Sequence, residues 1–165
     1  MIRPAKAADT NAILALFREA HARSPWKDQS EIDEAYAKRE VIQKAILYHG
    51  HKTMLGTNAV VADRDGLITG IHIGVKQRMG VISTALYATD LLFVVGKKAS
   101  PYTAAALIKN FEAWAQKDPR IIAIKPGVNS DVDDWRSAQS LYERLGYEMD
   151  GAILRKPIER ERKAA

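Results

Sequence analysis

Apolar positions along this chain follow a helical period first and a strand period afterwards, with the change near residue 58. Ile2 and Arg3 read as a short strand. Asp9 can cap a helix running to about residue 22, with Ile13, Phe17 and Ala20 on one face and Leu14 and Leu16 beside it. Ser30 followed by Asp33 resembles a capping box and predicts a second helix. Its apolar positions are Ile32, Tyr36, Ile42 and Ile46, and Gly50 ends it.

The strand period then takes over. Residues 58–64 read as a strand, and Asp65-Gly66 is a hairpin turn signal. Leu67, Thr69, Ile71, Ile73 and Val75 alternate with Ile68, Gly70, His72, Gly74 and Lys76, which predicts a long antiparallel strand. Residues 85–95 form a further strand, apolar on both faces toward its end as a central strand would be.

After a Gly-Lys-Lys loop, Ser100 sits at an N-cap position with Pro101 at the first helical position. That helix buries Ala104, Leu107, Ile108, Phe111 and Ala115, and Pro119 stops it. Ile121-Ile122-Ala123-Ile124 is a short apolar strand, so strand, helix and strand make a parallel crossover. Asp131, with Asp134 three residues on, opens a last helix with Trp135, Ala138, Leu141, Tyr142 and Leu145 inside and Gly146 at its end. Residues 147–156 read as a closing strand. The order is β-α-α-β-β-β-α-β-α-β, a mixed α/β (α+β) sheet with antiparallel strands first and one parallel crossover after them.

Composition adds exclusions. The 165 residues suit one domain over 1–156, followed by a basic tail over 157–165. No apolar run approaches the roughly 20 residues that cross a bilayer. The opening residues lack the apolar core of a signal peptide, so cytosolic residence is the expectation. The absence of cysteine excludes disulfides, thiolate metal sites and a Cys nucleophile. Net charge is +5 with a pI near 9.4, but part of the excess lies in the tail, which reads as solvated rather than as a nucleic-acid arm. His49, His51 and His72 have no metal-ligand spacing.

Three segments carry a resemblance. They are Ile2-Arg3-Pro4-Ala5 through Asp9 to Leu16, Leu92-Phe93-Val94 with Ala106 to Ala115 after it, and Leu141-Tyr142-Glu143-Arg144-Leu145-Gly146-Tyr147. Together they resemble the GNAT superfamily of acyl-CoA-dependent N-acyltransferases over nearly the whole chain, and the last segment is the most specific. The second half also resembles small GNAT-like proteins encoded by bacteriophages and prophages.

The resemblance implies acetyl-CoA as acyl donor, bound where two parallel strands splay apart. The backbone of the fourth strand at Phe93 and Val94 would pair with the pantetheine arm. The pyrophosphate would rest on the loop and helix start at Ser100, Tyr102, Thr103 and Ala104. That loop departs from the family pattern Arg/Gln-x-x-Gly-x-Gly/Ala, whose positions fall on Ala99, Tyr102 and Ala104. Only the final small residue is kept, although Lys97 and Lys98 supply cations. Asn129 would touch the pantetheine, or else serve as a turn residue.

Tyr142, four residues before Gly146, stands where the family places the acid that protonates the leaving thiolate, and it also reads as a core aromatic. Asp90, inside an apolar strand, is a candidate base or a structural carboxylate. Trp26, Tyr36 and Tyr48 lie in the region that shapes the acceptor pocket. Two functions follow: acetyl transfer to a primary amine of a small molecule or protein, or a non-catalytic GNAT-like binding protein that has lost acetyl-CoA. No metal is implied, and homodimers are frequent among such domains.

Overall fold

Five strands make one mixed sheet in the spatial order of the sequence: β1 (Ile2–Pro4), β2 (Asn58–Arg64), β3 (Leu67–Arg78), β4 (Leu86–Val95) and β5 (Ile121–Ile124). The computed structural model describes residues 1–128 and 135–154. Neighbouring strands from β1 to β4 are antiparallel, and β4 and β5 are parallel, as the crossover predicts. Asp65 and Gly66 turn β2 into β3 with φ of 54° and 86°, the left-handed pair that a two-residue hairpin requires.

The alternation of β3 sends its side chains to two different layers. Ile71 and Ile73 join Leu92 and Val94 of β4 under α1 (Thr10–His21), which contributes Ile13, Leu14 and Leu16. Burying each such side chain is worth about 1.5–3 kcal/mol. His72 points the other way, between Phe93 and Phe111, with ring centroids at 5.4 and 4.5 Å. Phe111 belongs to α4 (Thr103–Ala115), which covers this second face with Leu107, Ile108 and Ala115 also buried.

Asp9 does not cap α1 by its side chain. It ends a 3-10 turn (Ala7–Asp9), and its carboxylate accepts the Lys6 N–H at 2.8 Å. The Arg3 guanidinium grips the same carboxylate at 2.7 and 2.9 Å and reaches Asp63 at 2.7 Å through Nε. Arg3 thereby holds both carboxyls below their usual range.

Three local expectations are corrected. The second helix starts at Asp33, whose carboxylate accepts the Tyr36 N–H, and not at Ser30. It runs as α2 (Glu34–Tyr36), a π-helical stretch (Ala37–Gln43) and α3 (Lys44–Leu47). Wider turns rotate the inner face, so Ala37 and Ile42 are buried while Tyr36 points outward. The fourth helix has Tyr102 at its N-cap, because Ser100 is used in the preceding turn: its carbonyl accepts the Thr103 N–H and its hydroxyl the Tyr102 N–H. Residues 147–154 form no strand, so the closing strand expected over 147–156 is not seen among the described residues. After Tyr147, residues 148–154 are exposed and bury no apolar side chain that would reward pairing there. The expected opening of the last helix at Asp131 lies outside the described residues; α5 is described over Trp135–Arg144.

His72 is fully buried, and neither ring nitrogen has a hydrogen-bond partner among the described residues. Burial drives its pKa down from 6.5 to about 4. The unfolded chain therefore takes up this proton at higher pH than the fold does, and stability falls as pH drops through that interval. The expected loss between pH 7 and 4 is on the order of 3 kcal/mol. Urea unfolding across this range checks it. A His72→Leu variant should flatten the slope, whereas an unchanged slope would place the pH dependence elsewhere.

Candidate functional site

β4 and β5 stay together only briefly. Leu86 faces Ile121, Tyr87 faces Ala123 and Ala88 faces Ile124, and the Lys125 N–H closes on the Ala88 carbonyl at 2.8 Å. From residue 89 to 95, β4 continues against β3 alone among the described residues. Pairing of the two parallel strands therefore ends at Ala88, where β5 itself ends at Ile124.

A β-bulge lies at the start of this open stretch. Ile73 faces Leu92 while Gly74 faces Asp90, so Leu91 is the extra residue and projects outward. Asp90 consequently falls on the Gly74 face, toward α4, while Leu92 and Val94 face α1. The Asp90 carboxylate accepts the Gly127 N–H at 2.7 Å, tying this stretch of β4 to the segment after β5. Burial raises the Asp90 pKa; the Gly127 N–H and its own backbone N–H oppose that.

Tyr142 is the one buried residue of α5; Trp135, Ala138 and Leu141 on the same stripe are half-buried. Gly146, with φ of 91°, reverses the chain so that Tyr147 packs edge-on against Tyr142 at 5.0 Å. The Tyr142 hydroxyl has no hydrogen-bond partner among the described residues. Its pKa is pushed far above the usual tyrosine value, by burial first and then by the charges of Asp90, Tyr147 and Glu112. Tyr147 is raised too, by burial and by the nearby Glu112 carboxylate. The structure thus brings Asp90 and Tyr142 within electrostatic reach of one another, with the phenol held in its protonated form.

The loop and helix start beyond β4 are mixed in character. The Ala104 and Ala105 N–H groups have no partner among the described residues, as expected of a first helical turn. Thr103 is buried, Ser100 is exposed, and the Tyr102 ring points into solvent at 81% exposure. Against this, the Glu19 carboxylate of α1 accepts the Lys97 N–H at 2.6 Å and brings negative charge to the loop. Phe93 turns its ring into the core beside His72, so only its backbone is available to a ligand. Val94 is buried against α1, and Asn129 lies outside the described residues.

On the α1 face, Leu92 and Val94 form the floor of an apolar groove of about 240 Å³, walled by Phe17, His21, Trp26 and Ile32. Of the three aromatics expected to shape the acceptor region, Trp26 lines this groove and Tyr36 and Tyr48 do not. The sequence reading assigned Phe17 to the core and gave His21, Ile32 and Leu92 no site role. The signal that could have found them was the Leu92/Val94 alternation on an edge left open. Among the described residues no cluster of His, Asp or Glu could hold a metal ion, and no helix is long and apolar enough to cross a membrane.

No family model matches the chain, and no curated protein matches it in sequence. Solved structures do match its fold. A ribosomal-protein-alanine N-acetyltransferase from Brucella melitensis biovar Abortus 2308 is 17% identical with a TM-score of 0.66, covering 96% of this chain and 99% of that one. A transcriptional regulator from Bacillus halodurans C-125 is 15% identical with a TM-score of 0.70 over the same shares. AAC(6′)-Iy, in complex with the bisubstrate analogue CoA-S-monomethyl-acetylneamine, is 13% identical with a TM-score of 0.68, covering 97% of this chain and 98% of that one. At such identity the likeness is one of fold.

Proposed function

From the premise that this chain has the fold of the GNAT N-acyltransferases, we propose that it moves an acetyl group from acetyl-CoA to a primary amine. One observation carries this reading: beyond Ala88, β4 has no β5 partner among the described residues, with Asp90 just past that point and Tyr142 near enough to feel its charge. The residues present fit the donor. The edge of β4 over 89–95 is free of β5, and the Ala104 and Ala105 N–H groups stand at the positive end of a helix dipole. When bound, the thioester supplies the activated carbonyl.

Asp90 accepts the proton that the amine loses, through the carboxylate oxygen that Gly127 leaves free. The amine nitrogen then bonds to the carbonyl carbon as the carbon–sulfur bond breaks. Tyr142 gives its proton to the departing sulfur, a role suited to a hydroxyl that burial and the Asp90 charge keep protonated. The groove floored by Leu92 and Val94 takes the apolar part of an acceptor, in small molecule or protein.

The second reading, a binding protein without transfer, is favoured by the Glu19 carboxylate at the Lys97 N–H, which opposes a diphosphate. Calorimetric titration with acetyl-CoA separates the two. The transferase reading expects binding in the micromolar to low millimolar range, weakened about tenfold in a Lys97→Glu, Lys98→Glu variant. No heat of binding at millimolar acetyl-CoA would leave the non-catalytic reading.

A further inference from the structure

A second cavity, of about 730 Å³, shares no lining residue with the groove floored by Leu92 and Val94. β1, β2 and β3 contribute to its floor, the second half of α4 and the turn after it form one wall, and residues 49–52 form another. Its volume falls within the ~300–1,000 Å³ typical of small-molecule pockets.

The lining is cationic. Arg3, Lys52, Lys76, Lys117 and Arg120 face a single lining carboxylate, Asp118. Arg3 is balanced by Asp9 and Asp63, and Lys76 and Arg120 share Asp118 at 2.8 and 2.7 Å. Lys52 and Lys117 are exposed and have no carboxylate partner among the described residues. The cleft therefore keeps a positive field after its internal pairs are counted.

An amide pair, one partner buried and the other half-buried, lies in the same cavity. Asn58 is 3% exposed, and its Nδ2 donates to the Asn110 Oδ1 at 3.2 Å. The Asn58 side-chain carbonyl and both Asn110 amide hydrogens have no partner among the described residues. Whichever way the two amides are turned, the pair offers one donor and one acceptor to a ligand. Beside it stands Trp114, stacked on Phe111 at 5.8 Å with the Lys76 ammonium 5.7 Å from its ring. Neither the two lysines nor the spare amide valences are taken up by another contact among the described residues.

We propose that this cavity binds a nucleoside monophosphate. The phosphate lies against Lys52, Lys117 and Arg120, where a nearly dianionic group meets charge-assisted donors. The base presents its own adjacent donor and acceptor to Asn58 and Asn110, beside Trp114. This inference does not rest on acyl transfer.

Calorimetry on the full chain with the four ribonucleoside 5′-monophosphates tests it, with the matching nucleosides and inorganic phosphate as comparisons. At least one nucleotide is expected to bind about tenfold or more tightly than its nucleoside and than inorganic phosphate. A Lys52→Glu, Lys117→Glu variant, altered only on the surface, should weaken that binding at least tenfold. Asn110→Leu should erase discrimination among bases. Absence of nucleotide binding at millimolar concentration, or equal binding of inorganic phosphate, overturns the proposal. So does binding that survives the Lys52/Lys117 changes but fails in Lys97→Glu, Lys98→Glu, which would assign the nucleotide to the acyl-donor cleft.

Discussion

Replacing Tyr142 by Phe is expected to leave the fold as stable as before, or more so, while cutting acetyl transfer by about a hundredfold. The two halves of that expectation have one cause. The Tyr142 hydroxyl is buried without a hydrogen-bond partner among the described residues, so its removal breaks no bond in the resting protein. A buried, unpaired hydroxyl carries a desolvation penalty of about 1–3 kcal/mol, which phenylalanine does not. The ring contact with Tyr147 at 5.0 Å survives the change. Turnover falls because the departing sulfur then lacks its acid, and acetyl-CoA affinity should stay nearly constant because the group acts in the transition state. Thermal melting and steady-state rates on the same preparation check both halves. A lower melting temperature would show that the hydroxyl has a structural task, and an unchanged rate would remove it from the chemistry.

The largest loss of stability is expected at Phe111. It is fully buried, meets His72 and Trp114, and lies where a Cβ on Gly74 would come within 2.5 Å of its ring. Phe111→Ala should cost about 3–5 kcal/mol, through lost transfer energy and the cavity left between sheet and helix. For a domain of this size that corresponds to a fall in Tm of roughly 10 °C. The Gly74 contact supplies a sharper check. Gly74→Ala alone overpacks the ring and should cost about 1–3 kcal/mol. In a Phe111→Leu background that cost should shrink, since the colliding ring edge is gone. Strictly additive effects in the double variant would show that the two positions do not meet.

Where the chain repeats a simple period, the sequence disclosed the outcome. The alternation from Leu67 to Lys76, the Asp65-Gly66 turn and the Ile121–Ile124 crossover strand all stand as expected, because each depends on neighbours two to four residues away. Tyr36 was misjudged because a π-helical stretch rotates the inner face by an amount that no 3.6-residue period contains. Ser100 was misjudged because an earlier turn uses its hydroxyl. Asp90 and Tyr142 could be named from local pattern, yet their proximity joins residues some fifty positions apart. The Glu19 contact with Lys97 and the cavity around Asn58 had no local signal, since each assembles side chains from distant segments.

The half of β4 that β5 abandons spans about 20 Å at the usual rise per residue. Such a margin, which no described strand covers, is a template on which an extended chain can lay itself down, and templates of this kind seed fibres. Two details of this molecule blunt the hazard. The extra residue Leu91 throws a newcomer out of step at one end, and Arg23 reaches the Val95 carbonyl at the other. A strand from a second molecule thus meets an interrupted row, whereas a slender, flexible arm that needs only a few backbone contacts is less hindered.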